Sequence, residues 1–257
     1  MRARLPVVLM VLLYTTAAAS AAEIKVFTPR ALWTVLQEIG PDFEGASGHK
    51  LEVITDLAPT LGRRIEQGDE ADLFVGPPFV LERLLQAGKV LPETRTPLSR
   101  SGIGMSVRAG APKPDISTVE AFKRTLLDAK SIGYLKTGAS GVYLAKLFER
   151  MGIAQAIAGK VVRPDTDIVS EMVSKGEVEL GLVVTTQILT TPGVEFVGPI
   201  PSEFQSYVEW DGIITVSSKS REATKALIDF LRTPKAAEVM KRQGWKLDSS
   251  YAKRTEL

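Results

Sequence analysis

Short apolar runs alternate along this chain with longer stretches in which apolar residues recur at helical spacing, and nearly every junction carries Gly, Pro or a capping residue. This alternation predicts strands followed by helices, and hence α/β lobes with mostly parallel strands. Ile24 to Phe27 reads as a first strand, and the helix after it gathers Leu32, Leu36, Ile39 and Phe43 on one face. Leu51 to Thr55 is a second strand, followed by a helix through Leu61 and Ile65 that stops at Gly68. Asp72 to Val75 is a third, and after Gly76-Pro77-Pro78 a helix through Leu81, Leu84 and Leu85 runs to Gly88.

Gly102 to Arg108 reads as a strand leaving this first lobe, with a Pro-rich turn at Ala111 to Pro114. A second set of units begins with strand Ser131 to Leu135 and helix Gly141 to Met151. Strand Val161-Val162, helix Ile168 to Lys175 and strand Leu180 to Val184 continue it. Gly212 to Val216 returns toward the first lobe, and two amphipathic helices follow, the second opened by Thr233-Pro234 and closed by Gly244. The expected organisation is a lobe of residues 22–100 and 217–257, and a second lobe of residues 101–216. Crossing segments are expected near Ser99 to Gly104 and Tyr207 to Gly212, where Trp210 would sense closure.

The N-terminus changes the picture of where the chain works. MRARLPVVLMVLLYTTAAASAAE has two arginines, an apolar run from Leu5 to Tyr14 and an A-x-A site at Ala19-Ser20-Ala21, the pattern of a secretory signal peptide over residues 1–21. The run is shorter than the ~20 residues that span a bilayer. The chain has no cysteine, so neither disulfides nor lipidation of a terminal cysteine is expected, and core burial must stabilise the exported protein. A periplasmic location is the expectation. Loss of Arg2 and Arg4 with the signal leaves 30 basic against 30 acidic residues, a balance that argues against nucleic acid as a partner.

Signals for catalysis are weak. His49, the one histidine, sits in a polar turn, and without cysteine or a second histidine neither thiol chemistry nor a His-rich metal site is available. GASG at Gly138 to Gly141 lacks the spacing of a nucleophile elbow, and no phosphate-binding loop or dinucleotide fingerprint occurs. Acidic residues are plentiful, which leaves a carboxylate-based active site open, but most belong to a solvated surface, and no enzyme activity, cofactor or metal is expected.

What recurs is a strand, a short polar turn and a helix N-terminus, an arrangement that aims free backbone N–H groups at one place and favours anions. Thr28-Pro29-Arg30-Ala31, Leu57-Ala58-Pro59-Thr60, Thr137-Gly138-Ala139-Ser140 and Thr166-Asp167-Ile168 are four such turns, two from each lobe. They are either ordinary caps or the walls of one ligand cleft at the ends of parallel strands. In the first, Thr28 is expected to cap and Pro29 to take the first helical position, which puts Arg30 at the second. A cation there opposes the helix dipole by roughly 0.3–1 kcal/mol, so Arg30 needs an anion nearby. That anion is a ligand, or an acid such as Asp56 or Asp72, unless the side chain extends into solvent.

The run LGRRIEQGDEADLFVG, Leu61 to Gly76, resembles the segment after the second strand of molybdate-type periplasmic binding proteins, and LIDFLRTPKAAEVMKRQGW, Leu227 to Trp245, resembles their closing helices. The Gly133 to Leu147 unit and GLVVTTQ at Gly181 to Gln187 fall in matching order. The resemblance implies an α/β, two-lobed type II periplasmic binding protein fold with a ligand cleft between lobes, delivering a small anion to an ABC permease. It implies ligand groups at Thr28, Ala31, Ala58, Thr60, Ser140, Ile168 and Thr185, to which this chain adds Arg30, a departure from the family pattern nominated by the dipole argument above. The family's hydroxyl pattern is altered: Ala31 and Leu57-Ala58-Pro59 stand where it has serines, and its cleft tyrosine aligns with Val184.

The function expected is therefore a monomeric solute-binding protein for a molybdate-like oxyanion or an organic carboxylate. A guanidinium fork suits the carboxylate. The competing classes are a ligand sensor for another membrane partner and a secreted hydrolase on the same scaffold.

Overall fold

A computed structural model describes residues 21–247; all but the last residue of the expected signal peptide, and the last residues of the chain, lie outside that range. The first lobe is built from β1 (Glu23–Thr28), α1 (Arg30–Ser47), β2 (Lys50–Thr55), α2 (Ala58–Glu66), β3 (Leu73–Gly76) and α3 (Pro78–Gln86). The long β4 (Thr96–Arg108) leads out of it, and α4 (Val119–Asp128) and β5 (Ile132–Gly133) follow. The second lobe continues with α5 (Ala139–Arg150), α6 (Ala154–Ile157), β6 (Val161–Val162), α7 (Val169–Lys175), β7 (Leu180–Val184), α8 (Thr185–Thr190) and β8 (Val194–Pro199). β9 (Tyr207–Ile214) returns to the first lobe, where α9 (Arg221–Phe230) and α10 (Pro234–Arg242) end the described chain.

Strand pairing runs β2-β1-β3-β9-β4-β7-β5-β6, with β8 on β4. β4 belongs to both lobes: Thr96 to Gly102 pair with β9, and Ile103 to Ser106 pair with β7. Within each lobe the inner strands are parallel, β1 with β2 and β3, and β5 with β6 and β7. Every pairing of β4 and β9 is antiparallel, which corrects the expectation of mostly parallel strands. The reason is topological: a chain that enters a second lobe and comes back lays its outgoing and returning segments against each other in opposite directions.

Each lobe has its own apolar core. Ile24 and Val26 on one face of β1 pack with Val35 and Ile39 of α1, Leu227 of α9 and Met240 of α10. Phe27, on the opposite face, packs with Leu61, Phe74 and Leu81. In the second lobe Met105 and Leu182 from the strands meet Phe122, Leu144 and Phe148 from the helices. The four residues expected on the inner face of α1 are all buried.

The helices α4, α6 and α8 and the strand β8 have no counterpart in the pattern of apolar and polar positions described above. That pattern also puts the returning strand at Gly212 to Val216, whereas β9 starts at Tyr207 because it must reach β4 from the other lobe. These parallel strands end at Thr28, Gly76, Gly133 and Val184. The turns after all four face the space between the lobes, the crevice in which open α/β sheets bind ligands.

Candidate functional site

The helices that open on this crevice start without side-chain caps. α1 begins at Pro29 (φ −60°, ψ 157°), and Thr28, fully buried, donates its hydroxyl hydrogen to the Pro29 carbonyl at 3.2 Å. The expectation that Thr28 caps the helix is therefore corrected, and Arg30 becomes the first helical residue. A buried hydroxyl engaged with its neighbour has no N–H of α1 within reach. α2 starts from Leu57, α5 from Gly138 and α7 from Ile168, none with a side-chain cap. Caps are present elsewhere, at Thr118 of α4 and Thr233 of α10.

GASG has a structural explanation. Gly138 takes φ 97°, which side-chain-bearing residues rarely adopt, and a Cβ on Gly141 would stand 2.0 Å from the Leu135 carbonyl oxygen. The two glycines let Leu135, just past the end of β5, lie directly under the start of α5, and this places Ser140 in the cleft.

The space between the lobes amounts to about 500 Å³, with open solvent at its mouth included. The first lobe contributes Pro29, Ala31, Leu57, Ala58, Pro59 and Pro77. The second contributes Leu135, the Gly138 to Ser140 turn, Asp167, Val184 and Gln187. Val208 and Trp210 of β9 join them.

Of the eight residues nominated from sequence, Ala31, Ala58 and Ser140 line this cleft, and Arg30 reaches across between the lobes. Thr28, Thr60, Ile168 and Thr185 do not line it. Thr60 accepts from Arg63 Nη2 at 3.2 Å, Ile168 is exposed, and Thr185 donates to the Gly102 carbonyl at 3.0 Å. Thr185 has thus committed its hydroxyl hydrogen to a carbonyl, whereas Thr60 keeps its own but lies outside the cleft lining. Gln187 and Trp210 were not nominated, and Asp167 only as part of its turn. Their shared signal is that each follows, or pairs beside, a strand end that faces the other lobe.

Arg30 pairs with Glu171, in the first turn of α7 on the opposite lobe. The two acids weighed from sequence are otherwise engaged: Asp56 accepts from Leu57 N at 2.6 Å, and Asp72 accepts from Lys25 N, Lys219 N and the Ser218 hydroxyl. Arg30 Nη1 serves Glu171 Oε1, while Arg30 Nε and Glu171 Oε2 are buried without partners in the protein. Beside this pair, burial pushes the Asp167 carboxyl up to about 6; the Arg30 charge and the Gln187 amide pull it down, and Asp56 adds to the rise. Among the described residues, no cluster of His, Asp and Glu could hold a metal ion.

An uncapped, largely apolar crevice with one perturbed carboxyl in its wall, and a guanidinium paired to Glu171 just outside that wall, suits a small anion. The profile of the bacterial extracellular solute-binding proteins matches residues 24–246. The chain belongs to this family. This solute-binding protein is 33% identical over 238 residues to an aconitate isomerase from a Pseudomonas species, covering 90% of each chain. It is 26% identical over 242 residues to the molybdate-binding protein ModA of Escherichia coli, covering 89% of this chain and 91% of that one. The periplasmic molybdate-binding protein of Azotobacter vinelandii shares its fold with a TM-score of 0.74 at 17% identity, over 88% of this chain and all of that one. The molybdate-type resemblance and the two-lobed α/β fold are thus established for this solute-binding protein. Its relatives include both proteins named for binding and one named as an enzyme. Among its described residues no helix is long and apolar enough to cross a membrane.

Proposed function

We propose that the cleft of this solute-binding protein holds a small polycarboxylate of the aconitate type rather than a tetrahedral oxyanion. The observation that carries this reading is the composition of the cleft wall. Ala31, Ala58 and Pro59 line it in place of hydroxyl donors, while beside that wall the Arg30 guanidinium, held by Glu171 through Nη1, keeps Nε unpartnered. A planar fork matches a carboxylate bidentately, and apolar walls suit the carbon skeleton of an organic acid. The aconitate isomerase named above, at higher identity than the molybdate-binding relative, supports the same ligand class. On this reading the exported protein delivers its ligand to an ABC permease.

A second reading, that the bound acid is also isomerised, is favoured by Asp167. Aconitate carries a carboxylate on each carbon of a three-carbon allylic unit. Removing a proton from its CH2 leaves an electron pair spread over that unit and its carboxylates. Returning the proton to the opposite terminal carbon regenerates the same constitution with the double bond moved and its geometry reset. One carboxylate that takes and returns a proton suffices, with no cofactor, and a group titrating near 6 works best near that pH.

Calorimetry with cis-aconitate, trans-aconitate, molybdate and sulfate tests the first reading: the carboxylates should bind and the oxyanions should not. Tight molybdate binding without carboxylate binding would overturn it. Proton NMR in D2O tests the second, through appearance of the other isomer with deuterium in the CH2 position. Loss of this exchange in Asp167→Asn with binding retained is expected.

A further inference from the structure

Trp210 lies on β9, paired with Ser99 of β4 where the two lobes join. Strand alternation turns Tyr207 and Glu209 outward and Val208 and Trp210 inward, and the inward pair lines the cleft. Trp210 is 6% exposed, and its indole Nε1 is buried with no acceptor in the protein. Indole N–H groups usually find a partner when buried, because losing water without replacing it is unfavourable. The Ser140 hydroxyl, in the first turn of α5, lines the same cleft. Trp245 makes an informative contrast. Its ring centroid lies 6.0 Å from that of Trp210 and its Nε1 is equally without an acceptor, but it does not line the cleft.

We propose that Trp210 is a specificity-determining residue whose indole N–H donates to a carboxylate of the bound ligand. This rests on the carboxylate reading above. A polycarboxylate anchored at Arg30 has further carboxylates to place among apolar walls, and each needs a donor there. The indole supplies one with no added charge, so it favours a ligand long enough to reach the β9 side of the cleft over a compact ion held at one point.

The test uses the exported chain labelled with 15N in its three tryptophans, titrated with cis-aconitate and trans-aconitate and followed by indole N–H resonances and calorimetry. The Trp210 indole proton should move downfield on saturation. Trp210→Phe, which keeps a ring against Trp245, should weaken binding by about tenfold or more, the range for one hydrogen bond to a charged group. Trp245→Phe should stay within about twofold of wild type, a change too small to represent such a bond. Trp210→Phe binding like wild type, a stationary Trp210 resonance at saturation, or equal losses in both variants would overturn the assignment alone. If wild type binds neither acid, the carboxylate reading falls and takes this assignment with it. Should Trp210→Phe fail to fold, the wild-type resonance decides, assigned by elimination with Trp33→Phe and Trp245→Phe.

Discussion

Arg30 at the start of α1 and Glu171 in the first turn of α7 form an ion pair that joins one lobe to the other. Each charge is in a helix first turn, where the backbone favours the glutamate and opposes the arginine. Glu171 therefore compensates Arg30 twice, by direct contact and by supplying the anion that α1 lacks in its own first turn. With about a quarter of each side chain exposed, the pair lies between the surface and buried regimes. Arg30→Ala and Glu171→Ala should each lower stability by about 1–2 kcal/mol. The double variant should cost little more than either single one, because the interaction is lost only once. Urea denaturation of the three variants checks this, and strictly additive losses would show the pair uncoupled.

Asp167 should make both stability and binding depend on pH. Its carboxyl holds a proton more tightly in the fold than in the unfolded chain, about 6 against 3.8. The associated stability is fully present below about pH 3.8 and is lost as pH rises through about 6. A neutral Asp167 also repels an anionic ligand less, so carboxylate affinity should fall across the same rise. Asp167→Asn should remove both slopes relative to wild type. Thermal melts and calorimetry over this range would expose a parallel slope in the variant, which would assign the dependence to another group.

Gly141→Ala should destabilise the protein by about 1–3 kcal/mol, the usual cost of forced overpacking. The added Cβ meets backbone, the Leu135 carbonyl at 2.0 Å, and backbone yields less readily than a side chain. Because the displaced element carries Ser140, ligand binding should weaken as well. Gly45→Ala, inside α1 with open space around the new Cβ, serves as control and should be neutral or stabilising by up to ~1 kcal/mol. Thermal melts compare the two.

Ala31→Ser with Ala58→Ser should move selectivity toward tetrahedral oxyanions. Both positions line the cleft, and the molybdate-type resemblance implies hydroxyl donors at both. Calorimetry with molybdate should detect binding in the double variant that wild type lacks. A double variant as blind to molybdate as wild type would mean that wall polarity is not what discriminates.

The parts of the site that were legible in the sequence are those written in local backbone chemistry. Turns after strand ends announced the helix first turns that carry Ala31, Ala58 and Ser140, and all three line the cleft. The hydroxyls of Thr28, Thr60 and Thr185 were misread because a side chain's nearest partner is a matter of local geometry. Thr28 donates to the adjacent Pro29 carbonyl, Thr60 accepts from Arg63 one turn on, and Thr185 donates to Gly102 of β4. Glu171 was missed for a different reason, since nothing in a chain separation of 141 residues marks it as the partner of Arg30.

The sequence by itself determined the alternation of strands and helices, the inner face of α1, the turns at Gly68, Gly88 and Gly244, and through them the two-lobed α/β fold. These follow from residue periodicity and from what Gly, Pro and apolar side chains permit within a few residues of themselves. Only the tertiary structure decided that β4 and β9 run antiparallel between the lobes, that Glu171 meets Arg30, and that Asp167 and Trp210 share one cleft. Those relationships depend on how two separately folded cores are set against each other. The charge, burial and hydrogen-bond state of each of these residues comes from groups brought to it from distant parts of the chain.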